Sequence, residues 1–86
     1  MSYSFEETSS EEQLAIQDDL EMLRQDLMSE LQAINQYQEH ILSLGDDEAA
    51  ATLENIIGEE KEHVAELLRL IQKLDPAQAE KLKRIL

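Results

Sequence analysis

Two long series of apolar residues, separated by the sequence Gly-Asp-Asp, constrain the fold of this 86-residue chain more than any other feature. In both series the members recur every three or four positions, which is the spacing of one face of an α-helix. The pattern predicts two long amphipathic helices. The first series consists of Ile16, Leu20, Leu23, Leu27, Glu30, Ile34, Tyr37, Ile41 and Leu44. The second consists of Leu53, Ile56, Glu60, His63, Leu67, Leu70 and Leu74.

The N-terminal residues 1–9 are largely polar and lack helical periodicity, so this segment is predicted to be flexible. A capping-box pattern follows, formed either by Ser9 with Glu12 or by Ser10 with Gln13. Such a pattern places the N terminus of a helix at its first residue. The first helix is therefore predicted to begin near residue 10.

The boundary between the two long helices is marked by three consecutive residues. Gly45 is predicted to cap the C terminus of the first helix. Asp46 or Asp47 is predicted to cap the N terminus of the second helix, which should run over about residues 47–74.

A third, shorter helix is predicted over about residues 76–85. It follows Asp75-Pro76, in which the aspartate can act as the N-cap and the proline is tolerated at the first helical position. No linker long enough to divide the chain is present. Residues 10–86 are therefore predicted to form a single domain.

The short turn between the long helices predicts that they fold back on each other as an antiparallel hairpin. Glu30 lies about fifteen residues before the turn and Glu60 about fifteen after it, so both should lie ~22 Å from the turn. His63 follows Glu60 by one helical turn on the same face. The polar residues that interrupt the two apolar series are thus predicted to meet at one level of the hairpin.

Two carboxylates and an imidazole are costly to bury without partners. Di-iron and di-manganese carboxylate bundles use a Glu from each of two helices and a Glu-x-x-His pair from each of two others. This chain contains one of each, Glu30 and the pair Glu60–His63, which is half of such a site. A two-fold dimer would complete it, and symmetric pairing is the commonest oligomer geometry. The prediction is an all-α hairpin that dimerises into a four-helix bundle.

Composition limits the classes of ligand and partner. The formal charge of −13, from twenty acidic and seven basic residues, argues against nucleic acid and favours cations. The absence of cysteine excludes a thiolate metal site, so oxygen ligands with one imidazole favour iron or manganese over structural zinc. It also fits a cytoplasmic protein. No apolar run approaches the roughly 20 residues of a membrane span.

Simpler interpretations of the same residues stay open at this point. Glu30 and Glu60 could be polar core residues that set the register of a non-catalytic helical assembly module. Tyr37, seven residues after Glu30, could be an aromatic residue at the edge of the core. Alternatively, its hydroxyl could donate a hydrogen bond to a metal ligand.

Three segments of the sequence resemble the encapsulated-ferritin-like proteins, a small family within the wider ferritin and rubrerythrin group. They are SELQAINQY (29–37), GEEKEHVAELL (58–68) and KLDPAQ (73–78), and the resemblance covers about residues 14–86. It implies a ferritin-like fold in which each chain is a helical hairpin with a short C-terminal helix. It also implies that paired chains build a ferroxidase centre and that five such dimers close into a decameric ring.

The resemblance further implies that Glu30, Glu60 and His63 are the catalytic iron ligands, with two iron ions per dimer and Tyr37 near the site. The implied reaction is oxidation of Fe(II) to Fe(III) by dioxygen, for iron storage or detoxification. A peroxide-reducing protein of the rubrerythrin type is the nearest enzymatic alternative, but the usual electron-transfer module of that group needs four cysteines.

The resemblance also implies a cytoplasmic location inside an encapsulin nanocompartment. Family members that are encapsulin cargo carry a flexible tail that ends in a short shell-docking peptide. This sequence stops at Leu86, directly after the predicted third helix. Enclosure in a shell is therefore an open question at this point.

Overall fold

The structure is a computed structural model that describes residues 9–86. It contains α1 (Ser10–Ser43), α2 (Asp47–Leu74) and α3 (Pro76–Ile85), with no β-strand in this part of the chain. The predicted all-α fold, a two-helix hairpin followed by a short third helix, is confirmed. The segment predicted to be flexible lies outside the described residues, except for Ser9.

The N-terminal caps of the long helices form as the sequence predicts. The Ser9 hydroxyl accepts a hydrogen bond from the Glu12 backbone N–H at 3.0 Å, and Glu12 Oε1 accepts one from the Ser9 N–H at 3.1 Å. This is a complete capping box. Asp46 Oδ2 accepts a hydrogen bond from the Ala49 N–H at 2.8 Å. Of the alternative N-caps that the sequence offered, Ser9 is used rather than Ser10, and Asp46 rather than Asp47.

The predicted glycine cap of α1 is wrong. The C-cap is Leu44, whose backbone N–H donates to the carbonyl oxygens of His40 and Ile41 at 3.0 and 3.3 Å. Leu44 already has the extended conformation, with φ −78° and ψ 133°. The chain therefore leaves the helix before Gly45, which does not adopt a positive φ.

The described part of the chain is a single layer of helices. It measures 66 × 27 × 14 Å, and its smallest dimension is close to the diameter of one helix, ~10–12 Å. Its radius of gyration is 18.3 Å, whereas a compact domain of this length would have roughly 12 Å. Neither broad face of the hairpin is therefore covered by a further layer within residues 9–86.

The core of this layer is small and differs in detail from the predicted apolar series. Within residues 9–86 the buried apolar residues are Leu20, Ile57 and Ile71. Ile57 directly follows Ile56, and Ile71 directly follows Leu70. Ile56 and Leu70 belong to the predicted series but are only half-buried. The apolar surface of α2 is thus wider than predicted, and its most buried residues, Ile57 and Ile71, face α1.

Several members of the predicted series instead line grooves that open to solvent, and the face of the hairpin that carries them is here called the open face. On α1 and at its C-cap the groove-lining members, Leu23, Glu30 and Leu44, are separated by multiples of seven residues and so share one side of the helix. The residues of the open face that line these grooves are Leu23, Glu30, Leu44, Leu53, His63, Leu67, Leu70 and Leu74.

Asp75 joins the three helices. Its Oδ1 accepts a hydrogen bond from the Gln78 N–H at 3.2 Å and so caps α3, with Pro76 at the first helical position as predicted. Its Oδ2 accepts a hydrogen bond from Arg24 Nη2 of α1 at 2.8 Å, which forms an ion pair. No Cα atom of α3 lies within 8 Å of one in α1, so α3 projects from the hairpin.

None of the helices in residues 9–86 has an apolar stretch long enough to cross a bilayer.

Asp75→Ala is expected to lower the free energy of unfolding by about 0.5–2 kcal/mol, the usual loss when an N-cap is removed. The ion pair should add little, because Arg24 is 51% exposed. Asp75→Asn keeps a capping oxygen and Arg24→Ala removes only the ion pair, so both should cost less than Asp75→Ala. Urea unfolding at constant protein concentration measures the differences. Equal losses for Asp75→Asn and Asp75→Ala would contradict the capping role.

Gly58→Ala is expected to raise the free energy of unfolding by about 0.5–1 kcal/mol, because glycine is unfavourable inside a helix. A Cβ atom at Gly58 would meet nothing within 4 Å. Gly45→Ala is the matched control: its surroundings are equally open, but it lies outside the helices and should change stability less. A destabilised Gly58→Ala protein would show that something beyond this chain contacts the position.

Candidate metal centre

Three side chains from two helices converge on the open face. Glu30 of α1 and Glu60 and His63 of α2 each place one potential ligand atom within 4.8 Å of the others. His63 Nδ1 lies 3.5 Å from Glu30 Oε1 and 3.3 Å from Glu60 Oε1. The predicted meeting of these residues is confirmed. No other group of three or more potential metal-binding side chains occurs in residues 9–86.

The hairpin places this cluster at its surface. The side chains of Glu30, Glu60 and His63 are 24%, 17% and 48% exposed, respectively. His63 was predicted to lie in an apolar series, but the single layer leaves half of it in contact with solvent. The cluster is thus a half-buried site on the open face of one chain.

The cluster carries an excess of negative charge. A hydrogen bond with Glu30, the loss of hydration and the charge of Glu30 all raise the pKa of Glu60, and His63 only partly opposes them. Loss of hydration lowers the pKa of His63, but the negative charges of Glu30, Glu60 and Glu66 outweigh it and raise that pKa. Both shifts mean that the metal-free cluster holds protons more tightly than isolated side chains do.

Glu30 has an oxygen atom without a partner. Its Oε2 is buried, yet no hydrogen-bond donor contacts it in the described part of the chain. A buried carboxylate oxygen in this position has lost its hydration without compensation. A cation at the cluster would supply the missing interaction. The donor set of carboxylate oxygens and one imidazole, without thiolate, fits iron or manganese.

An open groove of about 450 Å³ leads to the cluster. Besides Glu30 and His63 of the cluster, the groove is lined by two acidic residues, Asp26 and Glu66, by Arg69 and by neutral side chains. Neither Asp26 nor Glu66 was predicted to be a metal ligand. Helical spacing could have found them, because Asp26 is four residues before Glu30 and Glu66 is three residues after His63. Small ions and dioxygen can reach the cluster from this side.

Tyr37 lies seven residues after Glu30 on α1 and is half-buried. No hydrogen bond joins its hydroxyl to Glu30, Glu60 or His63. Its role as a hydrogen-bond donor to a metal ligand stays a prediction.

Comparison with known proteins identifies similar chains. Encapsulin nanocompartment cargo protein EncC of Myxococcus xanthus is 42% identical over 57 residues, which cover 66% of this chain and 44% of EncC. Cargo protein EncB of the same organism is 34% identical over 61 residues, or 71% of this chain and 39% of EncB. A ferritin-like-encapsulin shell fusion protein of Pyrococcus furiosus is 38% identical over 64 residues, or 74% of this chain and 19% of the fusion.

The chain thus spans less than half the length of the curated relatives it matches. No solved structure matches it significantly. The sequence profile of the family described as EncFtn-like matches residues 6–86, which include all three helices and the cluster. The chain therefore belongs to the EncFtn-like family, and the resemblance to encapsulated-ferritin-like proteins is confirmed.

Proposed function

We propose that this protein is a ferroxidase that oxidises Fe(II) to Fe(III) with dioxygen at a di-iron site shared between two copies. The convergence of Glu30, Glu60 and His63 from two helices is the observation that carries the proposal. Membership of the EncFtn-like family supports it.

The proposed site needs a second copy because one chain supplies only three ligand side chains. The open face carries these ligands together with half-buried apolar residues that a partner could cover. Pairing of two open faces about a two-fold axis would bring four carboxylates and two imidazoles together. It would also add the second layer that a stable hydrophobic core requires.

The proposed reaction takes Fe(II) as its substrate. Two Fe(II) ions each give up one electron, and dioxygen takes both electrons and two protons to form hydrogen peroxide. Glu30 and Glu60 favour this direction, because negative ligands stabilise the more highly charged ferric product. His63 contributes a neutral nitrogen ligand and must release its proton when iron binds. The open groove admits both substrates.

We also propose that the protein acts inside an encapsulin nanocompartment in the cytoplasm, in iron storage or detoxification. EncC and EncB are named as encapsulin cargo proteins, and the Pyrococcus furiosus relative is named as a fusion of a ferritin-like part with a shell. A decameric ring of five dimers, with dioxygen as the oxidant, completes the proposal.

Glu60→Gln and Glu30→Gln are expected to lower the rate of iron oxidation by at least ~10-fold, because even a residue that only supports a ligand commonly costs that much. Anaerobic Fe(II) titration of the unaltered protein should saturate at about one iron per chain, followed by rapid ferric absorbance when oxygen is admitted. Glu62→Gln is the matched control, since Glu62 is exposed and outside the cluster. An unchanged rate in Glu60→Gln, or no saturable binding, would contradict the proposal.

Stabilisation by Mn(II) is expected to grow as the pH rises. The raised pKa values of Glu60 and His63 mean that the metal-free folded state binds protons more tightly than the unfolded state does. The stability that these bound protons contribute is complete below the ordinary pKa values, 4.5 for Glu60 and 6.5 for His63. It is lost as the pH rises through the higher pKa values of the folded state. Mn(II) must displace the same protons in order to bind, so the stabilisation that Mn(II) provides increases over that pH range.

The measurement is the melting temperature with and without Mn(II), between about pH 5 and about pH 8. At 100 times the dissociation constant, Mn(II) should add ~2.7 kcal/mol to the free energy of unfolding. Glu60→Gln should lose most of this effect at every pH. If the acids only set the register of an assembly module, Mn(II) would have no effect and Glu60→Met would stabilise the protein.

A further inference from the structure

The groove that leads to the cluster contains one basic side chain among acidic ones. Arg69 lines this groove together with Asp26, Glu66 and the cluster residues Glu30 and His63. Arg69 is exposed, and it forms no ion pair with any carboxylate of residues 9–86, although two acidic residues line the same groove. Its guanidinium group stays charged and carries five N–H donors. These donors are therefore available to a ligand in the groove.

Ser29 offers a second donor in the same groove. It directly precedes Glu30 on α1, and its hydroxyl forms no hydrogen bond with another group of the described residues. The groove thus has a donor from each of its two helices. Arg69 follows His63 by six residues, ~9 Å along the axis of α2. With a volume of about 450 Å³, the groove leaves room for a small anion between Arg69 and the cluster.

The charge of the groove depends on whether metal is bound. Without metal, the carboxylates of Asp26, Glu30 and Glu66 outnumber the single positive charge of Arg69, so the groove repels anions. A metal ion at the cluster becomes the largest local charge and reverses this balance beside it. Oxidation of Fe(II) to Fe(III) adds further positive charge. An anion is therefore excluded from the metal-free groove and attracted once metal has bound.

We propose that the groove binds inorganic phosphate between Arg69, Ser29 and the metal at the cluster. A guanidinium group can donate two parallel hydrogen bonds to a phosphate, and a hydroxyl can donate one more. The remaining phosphate oxygens are hard ligands of the kind that suits the metals favoured by the cluster. This inference rests on the metal site of the proposed function, but it does not require that the metal be oxidised.

Phosphate at this position affects the fate of the product. It supplies oxygen ligands that can replace Glu30 and Glu60 on ferric iron, and so it helps ferric iron to leave through the groove. Iron oxidation should therefore become faster with phosphate in the second and later turnovers, while the first turnover keeps its rate.

Phosphorus NMR of inorganic phosphate with Mn(II)-loaded protein tests the site directly, because paramagnetic Mn(II) broadens the signal of a phosphate bound next to it. Protein is kept in excess, so that free Mn(II) does not contribute. Arg69→Gln should weaken phosphate binding by about 10-fold, since it removes a charged donor. Ser29→Ala removes a neutral donor and should weaken binding less. Arg69→Lys keeps the charge without the fork of donors and should retain part of the affinity.

Lys73→Gln is the matched control for Arg69→Gln. Lys73 is exposed, lies four residues after Arg69 on the same helix and does not line the groove, so its loss changes the net charge equally. Phosphate binding should be unchanged in this variant. The Mn(II) affinity of Arg69→Gln, measured by electron paramagnetic resonance, should match that of the unaltered protein, which shows that the cluster itself is intact.

Equal phosphate binding by Arg69→Gln and the unaltered protein, or an equal loss in Lys73→Gln, would overturn the phosphate site and leave the metal site standing. Calorimetry that found equal phosphate affinity with and without Mn(II) would overturn it as well. If the unaltered protein bound no Mn(II), the metal site and the phosphate site would fail together. If Mn(II) and phosphate bound as expected but Fe(II) was not oxidised, the ferroxidase proposal alone would fail.

Discussion

The thickness of the hairpin is the constraint on which the rest of the structure depends. At 14 Å, two antiparallel helices form one layer and can bury only the residues between them, here Leu20, Ile57 and Ile71. Several of the remaining apolar residues of both predicted series line open grooves, together with Glu30 and His63. The half-buried cluster, its open groove and the small core therefore all follow from the single layer of helices. A second layer is the physical reason to expect pairing at the open face.

Charge acts on this layer in two opposing ways. An acidic surface attracts cations toward the cluster, where Glu30 Oε2 lacks a partner and the neighbouring Glu30 raises the pKa of Glu60. The same surplus of charge makes two copies repel each other as they approach. Metal at a shared site would reduce that repulsion locally. The exposed basic residues Lys81, Lys83 and Arg84 of α3 offset part of the same charge elsewhere on the chain.

The features that the sequence predicted correctly depend on local rules or on equal distances along the chain. Helix bounds followed from Ser9, Asp46 and Asp75, whose caps form with neighbouring residues. The cluster followed from the equal separation of its two glutamates from the turn. What could not be predicted depends on how each helix is rotated about its axis. That rotation decides that Ile57 rather than Ile56 is buried, and it brings Arg24 to Asp75.

The joint at Asp75 has a mechanical consequence. One carboxylate fixes the direction of α3 through two oxygens, one bound to the start of α3 and one to α1. A helix of ten residues is about 15 Å long, so a tilt of ~10° at its start displaces its far end by ~3 Å. A displacement of that size is enough to change which side chains meet across a contact. The angle set by a single ion pair and a single cap therefore decides where the exposed Ile85, at the far end of α3, can meet another surface.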